Sequence, residues 1–397
     1  MKEKILNALR YYSLALCFLA VVGILSVLNI RSTADTTVSA IKGIVGGHSA
    51  SALEQAYNKS IRGTNYFVTL NGGVERVLGR RNVNERYLLD NRMMVYTIPE
   101  TDISEPLSNT DTLSRELEEA DIPFVFVNAL WKLDPQDKQL PPGTEDFGNE
   151  NADRFINGLR ERNIPFLDLR ERERAEGLDH YSLFYSSDHH WTVETGFWAF
   201  NEIVDYLERQ DSSFAVDSRI RDIGSYDLTT YENIFLGSFG RRVGPLYSGR
   251  DDLTLITPKF STHMRYFVPE DNIDKKGTFR ESIVFEEVLS NPDEFLVNRY
   301  GVYGNFDYGY SLAENYSNED GLEVASTDKH ILIIKDSFAD SVFPFLSLGY
   351  SNVEIIDLRL FGSGLTDYIK ETRPDYVIVL YNPGALESTN LDMYHFN

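Results

Sequence analysis

The chain has 397 residues, of which 42% are hydrophobic and 13% aromatic. This composition supplies enough apolar side chains for a folded core and excludes wholesale disorder. The formal net charge of −23 at pH 7 makes most of the surface repel nucleic acid and anionic lipid, so we expect no nucleic-acid partner. Solubility outside the cell is the simplest reason for such an acidic balance.

The N-terminal region predicts a membrane anchor. Residues 12–30 contain no charged side chain, and this length is enough to span a bilayer as a helix. The preceding tail, residues 1–11, carries three basic side chains and one acidic, so we expect it to be cytoplasmic and the rest of the chain to lie outside. A cleaved signal peptide is the alternative, because residues 32–34 read Ser-Thr-Ala. We therefore predict a single-pass cell-membrane protein with a stalk at 31–60 and an extracytoplasmic domain at 61–397.

The only cysteine, Cys17, lies in this predicted anchor. The exported part therefore has no thiol, which excludes a disulfide framework, a cysteine-based metal site and a cysteine nucleophile. The domain must be stabilised by its core alone.

Beyond the stalk, a strand is predicted at 66–70, with a hairpin turn at the following Asn-Gly. From about residue 90, strands and helices alternate, and this order is typical of a mainly parallel sheet. The elements predicted in this part are strands at 93–98, 123–127 and 166–169, and helices at 110–120, 152–162 and 191–207.

Residues 210–328 break this alternation and are interpreted as an irregular β-rich insertion, with short strands at 253–256 and 264–268. The alternation returns with strands at 330–334, 353–357 and 376–380, and with helices from Ser337 to about 348 and at 365–372. These strands are continuous apolar runs, which indicates a sheet covered by helices on both faces. The predicted fold class is therefore α/β.

Ser337 is the candidate nucleophile. It follows the apolar run 331–334 through Lys335-Asp336 and precedes a predicted helix. A Ser on such a strand-to-helix turn exposes its hydroxyl at the carboxyl edge of a sheet, and amides at the start of the helix are suited to hold an oxyanion. The alternative is that Asp336 and Ser337 only cap the helix.

Asp188 and His190, in the run Ser187-Asp188-His189-His190-Trp191, are the candidate base and its orienting carboxylate. A Ser hydroxyl becomes a good nucleophile when a neutral imidazole takes its proton, and a carboxylate on the other ring nitrogen sets the tautomer. Residues two apart in an extended loop project to the same side, so His189 is expected to point the other way. A metal site is the alternative, but it would need more ligands nearby, so neither a metal nor a cofactor is expected.

Further candidates concern the oxyanion and the substrate. Arg359 and Asn382 follow apolar strands, where α/β enzymes place site residues. A salt bridge to Asp357 is the alternative for Arg359. Tyr303 and Tyr308 belong to an aromatic cluster at 300–310 that would suit stacking on sugar rings, with ordinary packing as the alternative.

The two motifs, Ser-Asp-His-His-Trp-Thr at 187–192 and Lys-Asp-Ser-Phe at 335–338, resemble those of the DHHW family of bacterial surface proteins. More distantly, the chain is similar to the SGNH-hydrolase-like domains of the alginate O-acetylation proteins. The resemblance covers about residues 85–397. The chain departs from the family pattern at Lys335, where Gly is usual. It also lacks a Gly-x-Asn-Asp block, for which Asn382 is the candidate substitute.

This resemblance implies an SGNH-hydrolase-like fold with Ser337 as nucleophile, His190 as base and Asp188 as its partner. It also implies an exported acetyltransferase that works beside a membrane-bound O-acyltransferase, which supplies the acetyl groups. The resulting hypothesis is an anchored O-acetyltransferase acting on a cell-surface polysaccharide. An O-acetyl esterase with the same triad, and a non-catalytic glycan-binding or assembly protein, are the alternatives.

Overall fold

The computed structural model describes residues 63–136, 139–305, 307–362 and 364–396, together with Gly23, Val27 and Asn29. The chain divides into two compact units, Met1–Asn71 and Gly72–Asn397. The predicted tail and stalk, and nearly all of the predicted anchor at 12–30, lie outside the described residues. Among the residues that are described, no helix has both the length and the apolar character needed to cross a membrane.

The strands of the described residues all lie in the second unit. In chain order they are β1 (Asn82–Val83), β2 (Arg86–Leu88), β3 (Met94–Val95), β4 (Phe124–Asn128), β5 (Phe166–Asp168), β6 (Tyr226–Phe235), β7 (Asp251–Pro258), β8 (Met264–Val268), β9 (Ile273–Gly277), β10 (Tyr310–Asn315), β11 (Thr327–Lys335), β12 (Tyr350–Ile356) and β13 (Tyr376–Tyr381).

Helices separate most of these strands. In chain order they are α1 (Thr64–Val77), α2 (Ser104–Glu119), α3 (Gly148–Glu161), α4 (Leu169–Glu176), α5 (Val193–Gln210), α6 (Ser218–Arg221), α7 (Ser238–Val243), α8 (Pro245–Ser248), α9 (Phe279–Ser282), α10 (Glu286–Ser290), α11 (Phe343–Gly349), α12 (Leu358–Phe361) and α13 (Leu365–Thr372).

One large sheet organises the second unit. Its strand order is β5-β4-β13-β11-β12-β10-β8-β9. The pairings from β5 to β12 are parallel, whereas β10, β8 and β9 continue the sheet with antiparallel pairings. The prediction of an α/β fold with a large, mostly parallel sheet is therefore confirmed.

Both faces of this sheet are buried. Side chains of successive strand residues point to opposite faces and pack in two different hydrophobic cores. On β11, Ile331 and Ile333 belong to one core, while Leu332 and Ile334 belong to the other. Side chains of α5 and α11 pack in the first core, and side chains of α2, α3 and α13 pack in the second. Helices on both faces thus explain why the central strands are continuous apolar runs.

Three sequence predictions need correction. Residues 66–70 lie in α1 rather than in a strand; Tyr66, Leu70 and Val74 recur at a spacing of four, which is a helical period. The strand at 93–98 shortens to β3 and pairs with β2 in a separate three-stranded sheet, so it does not belong to the main sheet. The stretch 210–328 is not merely an irregular addition, because its strands β8, β9 and β10 extend the main sheet, while β6 and β7 form a separate ribbon.

Candidate active site

Ser337 lies just beyond the carboxyl end of β11. Asp336 caps the short 3-10 helix Ser337–Ser341, because its Oδ1 accepts the Phe338 N–H at 2.9 Å. Ser337 is the first residue of that helix, so its own N–H has no acceptor inside the helix. The hydroxyl group and the backbone N–H of the half-buried Ser337 therefore lie together at the edge of the sheet.

His190 connects this serine to a carboxylate. Its Nε2 is 2.6 Å from Ser337 Oγ, and its Nδ1 is 2.6 Å from Asp188 Oδ1. Both distances are those of strong hydrogen bonds. An Nδ1–H that donates to Asp188 leaves Nε2 free to accept the serine proton, which is the arrangement of a Ser-His-Asp triad. The fold thus brings together three side chains from motifs 147 residues apart.

Asp188 is fully buried, and its hydrogen bonds favour the charged form. Oδ1 also accepts the backbone N–H of His190 at 2.9 Å, and Oδ2 accepts the backbone N–H of Ser238. Burial alone would raise the pKa of Asp188, but the neighbouring His190 and His189 rings, together with these hydrogen bonds, hold the pKa well below its usual range. Asp188 therefore remains a carboxylate at neutral pH.

Two residues that the sequence did not single out hold the loop that carries Asp188. The buried Lys132 ammonium donates to the carbonyl oxygens of Tyr185 at 2.7 Å, Ser186 at 3.2 Å and Asp188 at 2.6 Å. Asp251, at the start of β7, accepts the backbone N–H and hydroxyl of both Ser186 and Ser187. Burial lowers the pKa of Lys132 to about 7. In the ammonium form, however, each of its three N–H groups has a carbonyl acceptor, which favours protonation.

Two aromatic side chains position the histidine and the serine relative to each other. The Trp191 Nε1–H donates to the Phe338 carbonyl at 3.0 Å and to Ser341 Oγ at 2.9 Å. These hydrogen bonds link the histidine loop directly to the turn of Ser337. The Tyr300 ring stacks on the His190 ring, with centroids 3.9 Å apart and planes within 9°. Tyr300 belongs to the predicted aromatic cluster, but its contact with His190 was not predicted.

His189 does not point away from His190, so that expectation was wrong. The two rings lie 3.7 Å apart, and His189 Nδ1 is 2.8 Å from Ser238 Oγ and 3.3 Å from Asp188 Oδ1. The bond from the His190 N–H to the Asp188 side chain bends the loop, so alternate side chains do not project to opposite sides. Burial, reinforced by the charge of His190, lowers the pKa of His189 to about 3, so it is neutral.

The same three residues are the candidate metal group. Asp188, His189 and His190 offer ligand atoms within 4.8 Å of one another. Both ring nitrogens of His190 are engaged, however, one with Asp188 and the other with Ser337. The hydrogen bonding at this position therefore suits proton transfer better than metal ligation.

Asn382 and Arg359 both lie at the carboxyl edge, but their surroundings differ. Asn382 follows β13, and its backbone N–H and its Nδ2 each donate to Asp336 Oδ2 at 2.6 Å. This pair connects Asn382 to the turn of Ser337. Arg359 Nε instead donates to Asp357 Oδ1 at 2.8 Å, and its Nη2 is 3.2 Å from Asp307 Oδ2. The salt bridge left open as the alternative for Arg359 is thus present.

Lys335 is buried directly before the turn of Ser337. Its Nζ donates to Asp340 Oδ1 at 2.6 Å and also to Asp307. Burial opposes its charge, but these carboxylates raise the pKa of Lys335 above its usual value. The buried ion pair with Asp340 holds the end of β11 to the short helix that begins at Ser337.

The tyrosines proposed to stack on sugars are buried. The Tyr303 hydroxyl donates to the Ile256 carbonyl at 2.9 Å and accepts the Ile256 N–H at 2.8 Å, so its ring lies inside the core. Tyr308 is also buried, and its hydroxyl accepts from Asn305 Nδ2 at 3.0 Å. Both placements match ordinary packing, the alternative given for this cluster. Phe306 lies outside the described residues.

Neither a protein-family model nor a curated protein sequence matches this chain. Among solved structures, Bacillus cereus PatB1, whose structure carries a sulfonyl adduct, aligns with a TM-score of 0.63 and 19% identity over 79% of this chain and 100% of that chain. A DHHW family protein from Eubacterium siraeum aligns with a TM-score of 0.60 and 15% identity over 80% and 96%.

The O-acetyltransferase domain of Pseudomonas putida AlgJ is more distant, with a TM-score of 0.46 and 13% identity over 77% of this chain and 93% of that domain. The first two alignments show that this chain shares its fold with PatB1 and with a DHHW family protein. The resemblance to the DHHW family that the two motifs predicted is therefore confirmed at the level of the fold.

Proposed function

We propose that this protein is an extracytoplasmic O-acetyltransferase that modifies a cell-surface polysaccharide through an acyl-enzyme on Ser337. The hydrogen-bonded chain from Ser337 through His190 to Asp188 is the observation that carries the proposal. Its fold is interpreted as SGNH-hydrolase-like, with the Asp-His motif preceding the Ser motif. The reaction class follows from the triad, whereas the polysaccharide acceptor follows from the family resemblance.

In the first half-reaction, Ser337 Oγ attacks the carbonyl carbon of an acetyl ester while its proton passes to His190 Nε2. The oxyanion forms next to the Ser337 N–H, and we assign Asn382 Nδ2 as the second donor because Asp336 ties it to the same turn. The tetrahedral intermediate collapses, and the leaving alkoxide takes the proton from His190. The products are an acetylated Ser337 and the free alcohol of the donor.

In the second half-reaction, a sugar hydroxyl gives its proton to His190 Nε2 and attacks the acetyl carbonyl. Collapse of this intermediate returns the proton to Ser337 Oγ and releases the O-acetyl sugar. Asp188 stays ionised throughout and stabilises the imidazolium. We propose a membrane-bound O-acyltransferase as the source of acetyl groups. No step needs a metal or a cofactor.

Labelling of the serine tests this proposal. The full-length protein in detergent is treated with p-nitrophenyl acetate or with a sulfonyl fluoride, and its intact mass is measured. The sulfonyl reagent is chosen because PatB1 carries a sulfonyl adduct. We expect an adduct on the wild type and on Ser347→Ala, a control in α11 whose hydroxyl donates to the Pro344 carbonyl, but not on Ser337→Ala. An adduct that persists in Ser337→Ala, or an unreactive wild type, would contradict the proposal.

Product analysis then identifies the acceptor. With an acetyl ester and a neutral oligosaccharide, a transferase yields O-acetyl sugar at the expense of free acetate. Free acetate as the sole product, at every oligosaccharide concentration, would identify an esterase that uses the same triad. A wild type that binds oligosaccharide but forms neither product would support the glycan-binding alternative.

We also propose that residues 12–30 anchor the protein and that residues 61–397 form its extracytoplasmic domain. The charge asymmetry around the uncharged segment supports this orientation. In a bacterial host, the protein should remain in alkali-washed membranes and be digested by protease added to spheroplasts. Recovery in the soluble fraction, or protection from the protease, would count against the anchor.

A further inference from the structure

A second cavity lies at the same edge of the main sheet as Ser337, but beside different strands. Its volume is about 320 Å³, and ligand pockets commonly measure about 300–1,000 Å³. The loop after β4, the start of α4 after β5, and residues 178–181 line it. Ligands of α/β folds bind in crevices outside the carboxyl ends of the strands, so the cavity occupies a position suited to a ligand.

The strand order brings this cavity within reach of the triad. Ser337 follows β11, and β4 is two strands away in the order β4-β13-β11, a distance of about 10 Å. Trp131 lines the cavity and also lines the cleft that His189 and Asn382 border. A chain of linked sugar rings bound in the cavity can therefore extend along the sheet edge, past Trp131, to Ser337.

The buried wall of the cavity is connected to the support of the triad. His180 Nδ1 is 2.7 Å from Glu173 Oε1, and His180 Nε2 is 3.0 Å from the Lys132 carbonyl oxygen. Both partners are acceptors, and only the imidazolium donates from both ring nitrogens. The ammonium of the same Lys132 holds the Asp188 loop, and Lys132 lines the cleft beside His189 rather than this cavity. The Lys132 charge is therefore not available to a ligand in the cavity.

The cations of the buried wall are already neutralised. The imidazolium of His180 has a carboxylate partner. The Arg170 guanidinium donates to Asp168 Oδ1 at 3.0 Å and to Asp168 Oδ2 at 2.8 Å, and it lies 2.9 Å from Asp153 Oδ1. Arg174, at the exposed rim, is the only cation of the lining that no carboxylate of the described residues pairs. The cavity thus offers little free positive charge.

Three carboxylates of the lining, by contrast, keep an oxygen without a donor among the described residues. Glu173 is buried, and only its Oε1 accepts a hydrogen bond. Asp134 Oδ1 accepts the Gln136 N–H at 2.8 Å, which leaves Oδ2 open. Asp179 directly precedes a short 3-10 helix without capping it. These oxygens can accept hydrogen bonds from hydroxyl or ammonium groups, and they repel another carboxylate.

We propose that this cavity binds a sugar unit of the acceptor polysaccharide and that it selects neutral or amino sugars over uronic acids. The bound unit lies a few rings along the chain from the hydroxyl that is acetylated. The inference rests on the proposed transfer to a polysaccharide and adds a binding site and a sugar class. Ring hydroxyls or an ammonium group donate to Glu173, Asp134 and Asp179, whereas a uronate carboxylate would face oxygen atoms of like charge.

Binding measurements test this site. The full-length protein in detergent carries Ser337→Ala, which prevents turnover, and is titrated by calorimetry in about 0.15 M salt, which screens the acidic surface as a whole. The ligands are the pentamers of N-acetylglucosamine, glucosamine and galacturonic acid. We expect the first two to bind and the third to bind at least about tenfold more weakly, because like-charge contacts are strongly unfavourable.

Substitutions in the cavity separate this site from general adhesion. Asp179→Ala should weaken binding of the N-acetylglucosamine pentamer by about tenfold, the loss expected for one hydrogen bond to a charged group, and Asp134→Ala should have a similar effect. Asp179→Lys should instead strengthen binding of the galacturonate pentamer. Asp227→Ala is the matched control, because Asp227 is an exposed carboxylate on β6, and it should change the affinity by no more than about twofold.

Thermal melts accompany each titration. Asp179 is exposed, so its variants should fold, and they decide alone if Asp134→Ala does not. Equal binding of the neutral and uronate pentamers would overturn the site, as would neutral binding that is unchanged in Asp179→Ala. Labelling of Ser337 in the wild type without binding of any pentamer would overturn the site and leave the acyl-enzyme intact. Binding that depends on Asp179, in a protein whose Ser337 cannot be labelled, would retain the site and overturn the proposed reaction.

Discussion

Replacement of Asp188 by Asn tests the proposed triad most directly. The carboxylate accepts the Nδ1–H of His190 at 2.6 Å, the backbone N–H of His190 at 2.9 Å and the backbone N–H of Ser238. An amide has one acceptor oxygen, so it cannot satisfy these donors on both sides. If its oxygen faces Ser238, its NH₂ group faces His190 Nδ1, which favours the wrong tautomer and removes the acceptor for the Ser337 proton.

The expected size of this effect follows from the two arrangements. A wrong tautomer costs a triad about 10³–10⁴ in rate, or about 4–5.5 kcal/mol. If the amide oxygen faces His190 instead, the buried N–H of Ser238 meets a donor, at a cost of about 1–3 kcal/mol in the free energy of unfolding. For a domain of this size, that loss lowers Tm by about 2–12 °C.

The assay compares kcat/KM on an acetyl ester with thermal unfolding for Asp188→Asn and for Asp168→Asn. Asp168 is a matched control, because it is a buried carboxylate at the carboxyl end of β5 that accepts hydrogen bonds from Arg170 and Asn128 rather than from the triad. We expect Asp168→Asn to lose stability while keeping kcat/KM within about tenfold of wild type. A folded Asp188→Asn with activity within about tenfold of wild type would refute the assigned role of Asp188.

The pKa of Asp188 adds a pH dependence. A folded-state pKa held below the unfolded value of about 3.9 stabilises the protein above that pH, and this stabilisation is lost as the pH falls further. The difference in unfolding free energy between wild type and Asp188→Asn should therefore shrink below about pH 4. A difference that stays constant down to pH 2 would contradict this reasoning.

Three further predictions concern the support of the site. Trp191→Phe removes the indole donor that reaches the nucleophile turn, so the free energy of unfolding should fall by about 2–4 kcal/mol in a urea titration; unchanged stability would contradict the linkage. Gly237→Ala places a Cβ 2.4 Å from the Cβ of Asp188, and the displaced loop should lower kcat/KM by about 10² or more; near-normal kinetics would show that the loop adapts. Glu173 raises the pKa of His180 above its usual value despite burial, so this stabilisation is present below the unfolded pKa of about 6.5 and is lost as the pH rises through the folded-state pKa. His180→Gln should therefore flatten the Tm profile above about pH 6.5, and parallel profiles for wild type and variant would contradict the effect.

Much of the fold was predictable because its signals are local. β8 and α13 begin and end where the apolar pattern predicted. The central strands β11 and β13 were recognisable as unbroken apolar runs, and the turn between a buried strand and a helix pointed to Ser337. The prediction failed at β3, because a short apolar run has the same appearance in a small antiparallel sheet as in the main sheet.

The sequence by itself determined which residue types were available at the site and that Ser337 follows a buried strand, because hydrophobic runs and helix caps act between residues close in the chain. Only the tertiary structure decided what surrounds them. Lys132 holds the Asp188 loop from 56 residues away in the sequence, and Asp251 holds the same loop from 64 residues away. No periodic pattern in the sequence predicts either contact. The tertiary structure likewise placed Tyr303 in the core and Tyr300 on the His190 ring. The sequence could not distinguish these two placements, because an aromatic side chain has the same local pattern in both surroundings.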